Sequence, residues 1–172
     1  MEYDTHMYSQ KLASIRALIL DCDGVLTDGR LYYSARGSEM LTFHSKDGWG
    51  LAELSKRGFP IAVLSGRSTD IAEARMRQLG VSHFVGSCHD KAAGFLALCR
   101  ILKQSPEHVA YIGDDIPDLP AFQHAGLRIA VADAAQAVRD VAEWVTQARG
   151  GAGAVREVID ALLEVVPKES ER

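Results

Sequence analysis

Residues 15–29 read IRALILDCDGVLTDG, and this stretch decides the fold. Its first half, IRALILD, is a nearly unbroken apolar run. That is the pattern of a strand covered on both faces, as in a parallel sheet. From Asp21 onward the character changes, and aspartates and glycines crowd into a turn at the strand's carboxyl end. The same grammar returns at residues 60–65, PIAVLS, closing on Ser65-Gly66-Arg67, and at residues 108–115, HVAYIGDD. Shorter strands are expected at residues 83–85 and in RIAVA at 128–132. Between them lie helical stretches: one capped by Asp47 and running to residue 57, one over residues 69–79, one capped by Asp90 and running to 103, and one over 117–125. A last helix carries Val155, Val158, Ile159, Leu162 and Leu163 along one side. Alternation of this kind specifies an α/β fold: a three-layer, Rossmann-like parallel sheet with helices on both faces and right-handed crossovers.

Residues 30–44 stand outside the alternation. Two β-prone runs flank SARGSE, which reads as a hairpin turn. The expected organisation is one domain over residues 1–172: a loose N-terminal tail at 1–10, a protruding hairpin at 30–44 and a C-terminal segment at 149–172. Forty-one residues separate Asp23 from Ser65 and 25 separate Ser65 from Lys91. The hairpin, helices and strands fill both intervals and leave no room for a cap domain.

Composition narrows the function. The chain has 172 residues, 47% hydrophobic and 24% charged, close to the soluble globular average, which argues against wholesale disorder. Its net charge of −4, with no basic block, lacks the footprint of a nucleic-acid binder. No apolar run is long enough to cross a bilayer, so no membrane partner is expected. The three cysteines, Cys22, Cys88 and Cys99, form no CxxC pair and point to a reducing, cytoplasmic setting.

In α/β sheets of this kind ligands sit beyond the carboxyl ends of the strands. Those ends collect Asp21 and Asp23, Ser65, Gly66 and Arg67, Lys91, and Asp114, Asp115 and Asp118. Carboxylates packed this closely raise one another's pKa unless a hard dication joins them. Mg²⁺ suits oxygen donors and a substrate phosphate. Zinc does not suit the scattered histidines. One aspartate of Asp21-Cys22-Asp23 can attack phosphorus, and the second can protonate the leaving alcohol and then activate water. In an extended strand the two would share a face.

DCDGVLTDG, LSGR, Lys91 and GDDIPD, in that order, resemble the four motifs of the haloacid dehalogenase-like phosphatases. The resemblance implies Asp21 as nucleophile and Mg²⁺ ligand, and Asp23 as general acid and base with its carbonyl on the metal. It implies Ser65 and Lys91 as phosphoryl holders and Asp114 as a further metal ligand. Asp115 would stand behind these, and Asp118 would orient Lys91. DGVLTDGRLYYS, DGWG, GDDIPDLP, AVADA and GGAGAVREV are similar to a narrower group, the capless, tetrameric 3-deoxy-D-manno-octulosonate 8-phosphate phosphatases of lipopolysaccharide inner-core synthesis. That likeness implies a phosphorylated sugar acid as substrate, a homotetramer built through the hairpin, and a C-terminal segment, residues 149–154, reaching a neighbour's site. Arg67 and Arg75 are candidates for the substrate's carboxylate, with Gly66 beside them.

Two other readings use much the same residues. One is a phosphatase for another sugar acid phosphate, such as a nonulosonate 9-phosphate, whose enzymes tend to carry an acidic residue where Arg67 stands. The other is a non-catalytic tetramerisation module, which would not need all four motifs. A two-component receiver would place its acceptor on a middle strand and lacks a second acid two residues on.

Overall fold

Strand β1 (Ala17–Leu20) lies at the centre of a six-stranded sheet and is buried along its whole length. The computed structural model describes residues 11–35, 37 and 39–167. The tail expected at 1–10 and residues 168–172 fall outside these. After β1 come a hairpin of β2 (Tyr32–Tyr33) and β3 (Glu39–Met40), helix α1 (Ser45–Lys56), β4 (Ile61–Leu64), α2 (Asp70–Gln78), β5 (His83–Val85) and α3 (Lys91–Ile101). Then follow β6 (Val109–Gly113), α4 (Leu119–Phe122), β7 (Leu127–Ala130), α5 (Gln136–Arg139), β8 (Trp144–Val145) and α6 (Ala154–Val165).

The sheet runs β5-β4-β1-β6-β7-β8 with every pairing parallel. Central strands β1, β4 and β6 are fully buried, as their continuous apolar runs require. The strand order reverses between β1 and β6. With right-handed crossovers, α1 and α2 then cover one face and α3, α4 and α5 the other. Helix α6 packs on α1, and α4 packs on α3. The reversal opens a crevice at the carboxyl ends of β1 and β6, where ligands bind in such sheets.

The hairpin is shorter than residues 30–44, pairing Tyr32 with Met40 and Tyr33 with Glu39. Leu31, Tyr32, Tyr33 and Met40 are exposed, whereas Leu41 and Phe43 pack against the core. Two elements escape the sequence reading, α5 and β8, of four and two residues. Helix α1 begins at Ser45, ahead of Asp47. Asp47 does not cap its own helix. Its buried carboxylate accepts from the backbone N–H groups of Gly153 (3.3 Å) and Arg156 (2.8 Å), at the start of α6.

The start of the C-terminal segment packs against the loop after β1. Residues 149–154 fold onto the same chain, where Gly151 N–H donates to Val25 O at 2.9 Å. The absent side chain of Gly150 is essential there, because a Cβ would sit 1.7 Å from Gly24 O. Among the described residues no helix is long and apolar enough to cross a membrane.

Candidate active site

Register places the acids. Leu20 pairs with Ile112, and the next residue, Asp21, donates its N–H to Ile112 O at 3.0 Å. Asp21 is thus one step past β1, and Asp114 one step past β6. The chain leaves β1 in a tight turn, with Leu26 and Thr27 N–H on Cys22 O at 2.9 and 3.1 Å. Strand alternation would have put Asp21 and Asp23 on one face; the turn instead brings both to the cleft. Gly24 (φ +87°) makes the closest approach, since a Cβ there would stand 2.1 Å from Asp114 Oδ2.

Asp21, Lys91 and Asp118 are 6%, 4% and 1% exposed. Lys91, the first residue of α3 behind its N-cap Asp90, extends Nζ to Asp21 Oδ1 (2.9 Å) and Asp118 Oδ1 (2.5 Å). Asp118 is held on both oxygens. Its Oδ1 also accepts from Tyr111 Oη at 2.7 Å, and its Oδ2 accepts from the N–H groups of Asp114 and Asp115 at 2.9 and 3.2 Å. Gly113 leaves space for it, because a Cβ there would lie 2.7 Å from the Asp118 side chain. Asp115 turns to its own helical turn, accepting from Ile116 N–H at 2.8 Å. Tyr111 was not legible as a site residue; its only signal is a phenol inside an otherwise apolar strand, whose hydroxyl needs a buried partner.

Asp21, Asp114 and Asp118 each bring a carboxylate oxygen within 4.8 Å of the others. Burial pushes Asp21 up to about 6, with Asp118 adding and Lys91 opposing. Burial, Asp21 and Asp118 push Asp114 up to about 8. Burial pulls Lys91 down, but Asp21 and Asp118 more than reverse this and keep it charged. An all-oxygen cluster that resists its own ionisation fits a hard dication such as Mg²⁺. With Asp118 committed to four donors, Asp21 and Asp114 are the side chains left to hold it.

Across the cleft, Ser65 follows β4 and is buried; its Oγ accepts from Arg67 N–H at 3.1 Å. Gly66 and Arg67 line the opening, and Arg67 Nη1 is 3.7 Å from Asp23 Oδ1. The cleft, about 290 Å³, is bounded by Asp21, Asp23, Arg67, Lys91, Asp114 and Pro117 among others. Arg75 is not brought there. It sits on α2 with its guanidinium over Gly48, where a Cβ would meet Nη2 at 2.5 Å. A larger cavity of about 510 Å³ opens at the opposite ends of β1 and β4, but among the described residues lining it Arg16 is the only ionisable one.

Residues 50–126 match the family model of the haloacid dehalogenase-like hydrolases. A 3-deoxy-D-manno-octulosonate 8-phosphate phosphatase of Yersinia pestis is 41% identical over 154 residues, 90% of this chain and 82% of that one. The chain belongs to this family of phosphatases. The corresponding enzyme of Moraxella catarrhalis, solved with magnesium, phosphate and the octulosonate, superimposes with a TM-score of 0.90 at 37% identity, over 95% of this chain and 93% of that one. The cobalt-bound phosphatase of Haemophilus influenzae gives 0.87 at 41% identity, over 91% of each chain.

Proposed function

We propose that this protein is a Mg²⁺-dependent phosphatase that releases phosphate from 3-deoxy-D-manno-octulosonate 8-phosphate through an aspartyl phosphate. The observation that carries the reading is the convergence of Asp21, Asp114 and Asp118 carboxylate oxygens within 4.8 Å of one another, with the Lys91 ammonium on Asp21 and Asp118. Relatives at 41% identity with that named activity support the substrate.

In the first step an oxygen of Asp21 attacks phosphorus. The bond from phosphorus to the sugar oxygen breaks, and Asp23 gives the leaving oxygen its proton. In the second step Asp23, now a carboxylate, takes a proton from water as that water attacks phosphorus. The bond to Asp21 breaks, and inorganic phosphate leaves. Lys91 neutralises charge on Asp21 and on a phosphoryl oxygen, Asp118 fixes Lys91, and Ser65 offers a hydroxyl to a second oxygen. Asp21 and Asp114 would hold Mg²⁺, which would supply positive charge for the phosphoryl oxygens. Arg67, at the cleft edge, presents a guanidinium fork to the substrate's carboxylate.

The exposed apolar hairpin supports assembly into a homotetramer, because Leu31, Tyr32, Tyr33 and Met40 stand exposed among the described residues. The three free cysteines support a cytoplasmic setting. The test of substrate is phosphate release, with Mg²⁺ and then with EDTA, across a panel of phosphorylated sugar acids. Faster release from the octulosonate 8-phosphate, abolished by EDTA, supports the reading. Equal rates on a nonulosonate 9-phosphate remove the substrate assignment.

A further inference from the structure

Asp47 is a buried carboxylate that the reaction above does not use. It stands in the first turn of α1 and is 2% exposed. Burying a carboxylate is unfavourable unless hydrogen bonds replace water. Its partners lie more than a hundred residues away: Oδ2 accepts from Gly153 N–H at 3.3 Å and Oδ1 from Arg156 N–H at 2.8 Å. Gly153 is the N-cap of α6, with φ 111° and no side chain of its own to satisfy the helix end. Asp47 therefore supplies from α1 the cap that α6 lacks.

The segment just before α6 packs against residues 24–28, backbone against backbone. Gly151 N–H donates to Val25 O at 2.9 Å, and Gly150 N–H donates to Asp133 Oδ1 at 3.0 Å. A Cβ on Gly150 would stand 1.7 Å from Gly24 O, and one on Gly151 would stand 2.4 Å from Asp28 N. Gly24 in turn faces the Asp114 carboxylate, 2.1 Å from where its own Cβ would be. Gly150 and Gly151 thus meet residues 24–28 directly, backbone against backbone. A shift of the 150–153 turn must move this loop.

We infer that Asp47 is a positioning residue for the phosphoryl-transfer site: by capping α6 from α1 it clamps the 150–153 turn onto residues 24–28, and so sets the loop against Asp114. The inference rests on the proposed phosphatase reading for its kinetic arm only. Around Asp47, His44 Nδ1 stands 3.9 Å away and Arg75 reaches over the neighbouring Gly48, so the clamp sits in a polar niche behind the cleft.

The test compares full-length Asp47→Ala and Asp47→Asn with Ile159→Val, which trims a buried residue of α6 without touching the cap. Three quantities are read in each: amide hydrogen exchange of residues 24–28, Mg²⁺ affinity by calorimetry, and kcat for phosphate release. Asp47→Ala is expected to speed exchange at 24–28, to weaken Mg²⁺ binding about tenfold, and to lower kcat on the order of ten- to a hundredfold, the cost of a small misplacement near a reacting centre. Asp47→Asn keeps an acceptor oxygen and is expected to recover part of each loss. Ile159→Val is expected to lower Tm and leave all three readings unchanged. Wild-type exchange at 24–28 and wild-type Mg²⁺ affinity in both Asp47 variants overturn the inference, as does an equal effect from Ile159→Val. If Asp47→Ala does not fold, Asp47→Asn decides by the same readings. A wild-type protein that releases no phosphate would remove the proposed activity, while exchange and Mg²⁺ affinity still decide the clamp.

Discussion

The Nζ of Lys91 lies 2.9 Å from Oδ1 of Asp21, and both side chains are almost sealed from solvent. The cation thus answers the charge of Asp21, and Asp118 holds it from the other side at 2.5 Å. Removing it strands two buried carboxylates. Breaking a buried ion pair from one side costs about 3–5 kcal/mol. Lys91→Met is expected to lose that much in urea unfolding and to lose activity. An unfolding midpoint equal to wild type would mean that the pair does not stabilise the fold.

The acidic cluster has a pH signature. Burial with neighbouring acids holds Asp21 near 6 and Asp114 near 8, both above the ordinary carboxylate range. A carboxyl raised in the folded state stabilises the fold while protonated and loses that contribution as pH climbs through its folded pKa. Metal-free protein should therefore lose stability between about pH 4, the unfolded value, and pH 8, and Mg²⁺ should restore it. At pH 7 Mg²⁺ binding must expel a proton, mostly from Asp114. Calorimetric titration in buffers of different ionisation enthalpy checks this: the heat should vary with buffer. A buffer-independent heat would contradict it.

Asp23 is assigned the proton transfers, and its carboxylate lies 3.7 Å from Arg67. Asp23→Asn keeps the shape and removes the proton. Its kcat should fall on the order of 10²–10⁴, the usual contribution of a general acid and base, with Mg²⁺ affinity preserved. A near-normal kcat would pass the role to another group.

The hairpin offers Leu31, Tyr33 and Met40 to solvent, Tyr33 with 65% of its surface open. Light scattering of the wild type should give four times the chain mass, and Leu31→Glu combined with Tyr33→Asp should give smaller species of unchanged secondary structure. A monomeric wild type would remove the hairpin's assigned role.

Much of this was legible because strand ends announce themselves. Three apolar runs ending on Asp21, Ser65 and Asp114 placed the crevice, and the short strand at His83–Val85 and the cap Asp90 fall where local chemistry put them. What stayed hidden was set by distance or brevity. Four residues of α5 and two of β8 are too short to carry a period. Arg75 lies on the helix that begins just after Arg67, but its place on that helix aims it at Gly48. Asp47 looks like a local cap and serves α6, because its partners are 106 and 109 residues away. The glycines at 150 and 151 read equally well as a flexible link; only the close approach of Gly24 and Asp28 reveals that they are a packed contact.

The account turns on Asp21 as the group that takes the phosphoryl. Phosphate release from 3-deoxy-D-manno-octulosonate 8-phosphate, measured at saturating Mg²⁺ for wild type and Asp21→Asn with folding checked by circular dichroism, tests it most directly. The account predicts turnover in the wild type and none in a folded Asp21→Asn protein. Turnover by that variant at a rate near wild type would contradict it.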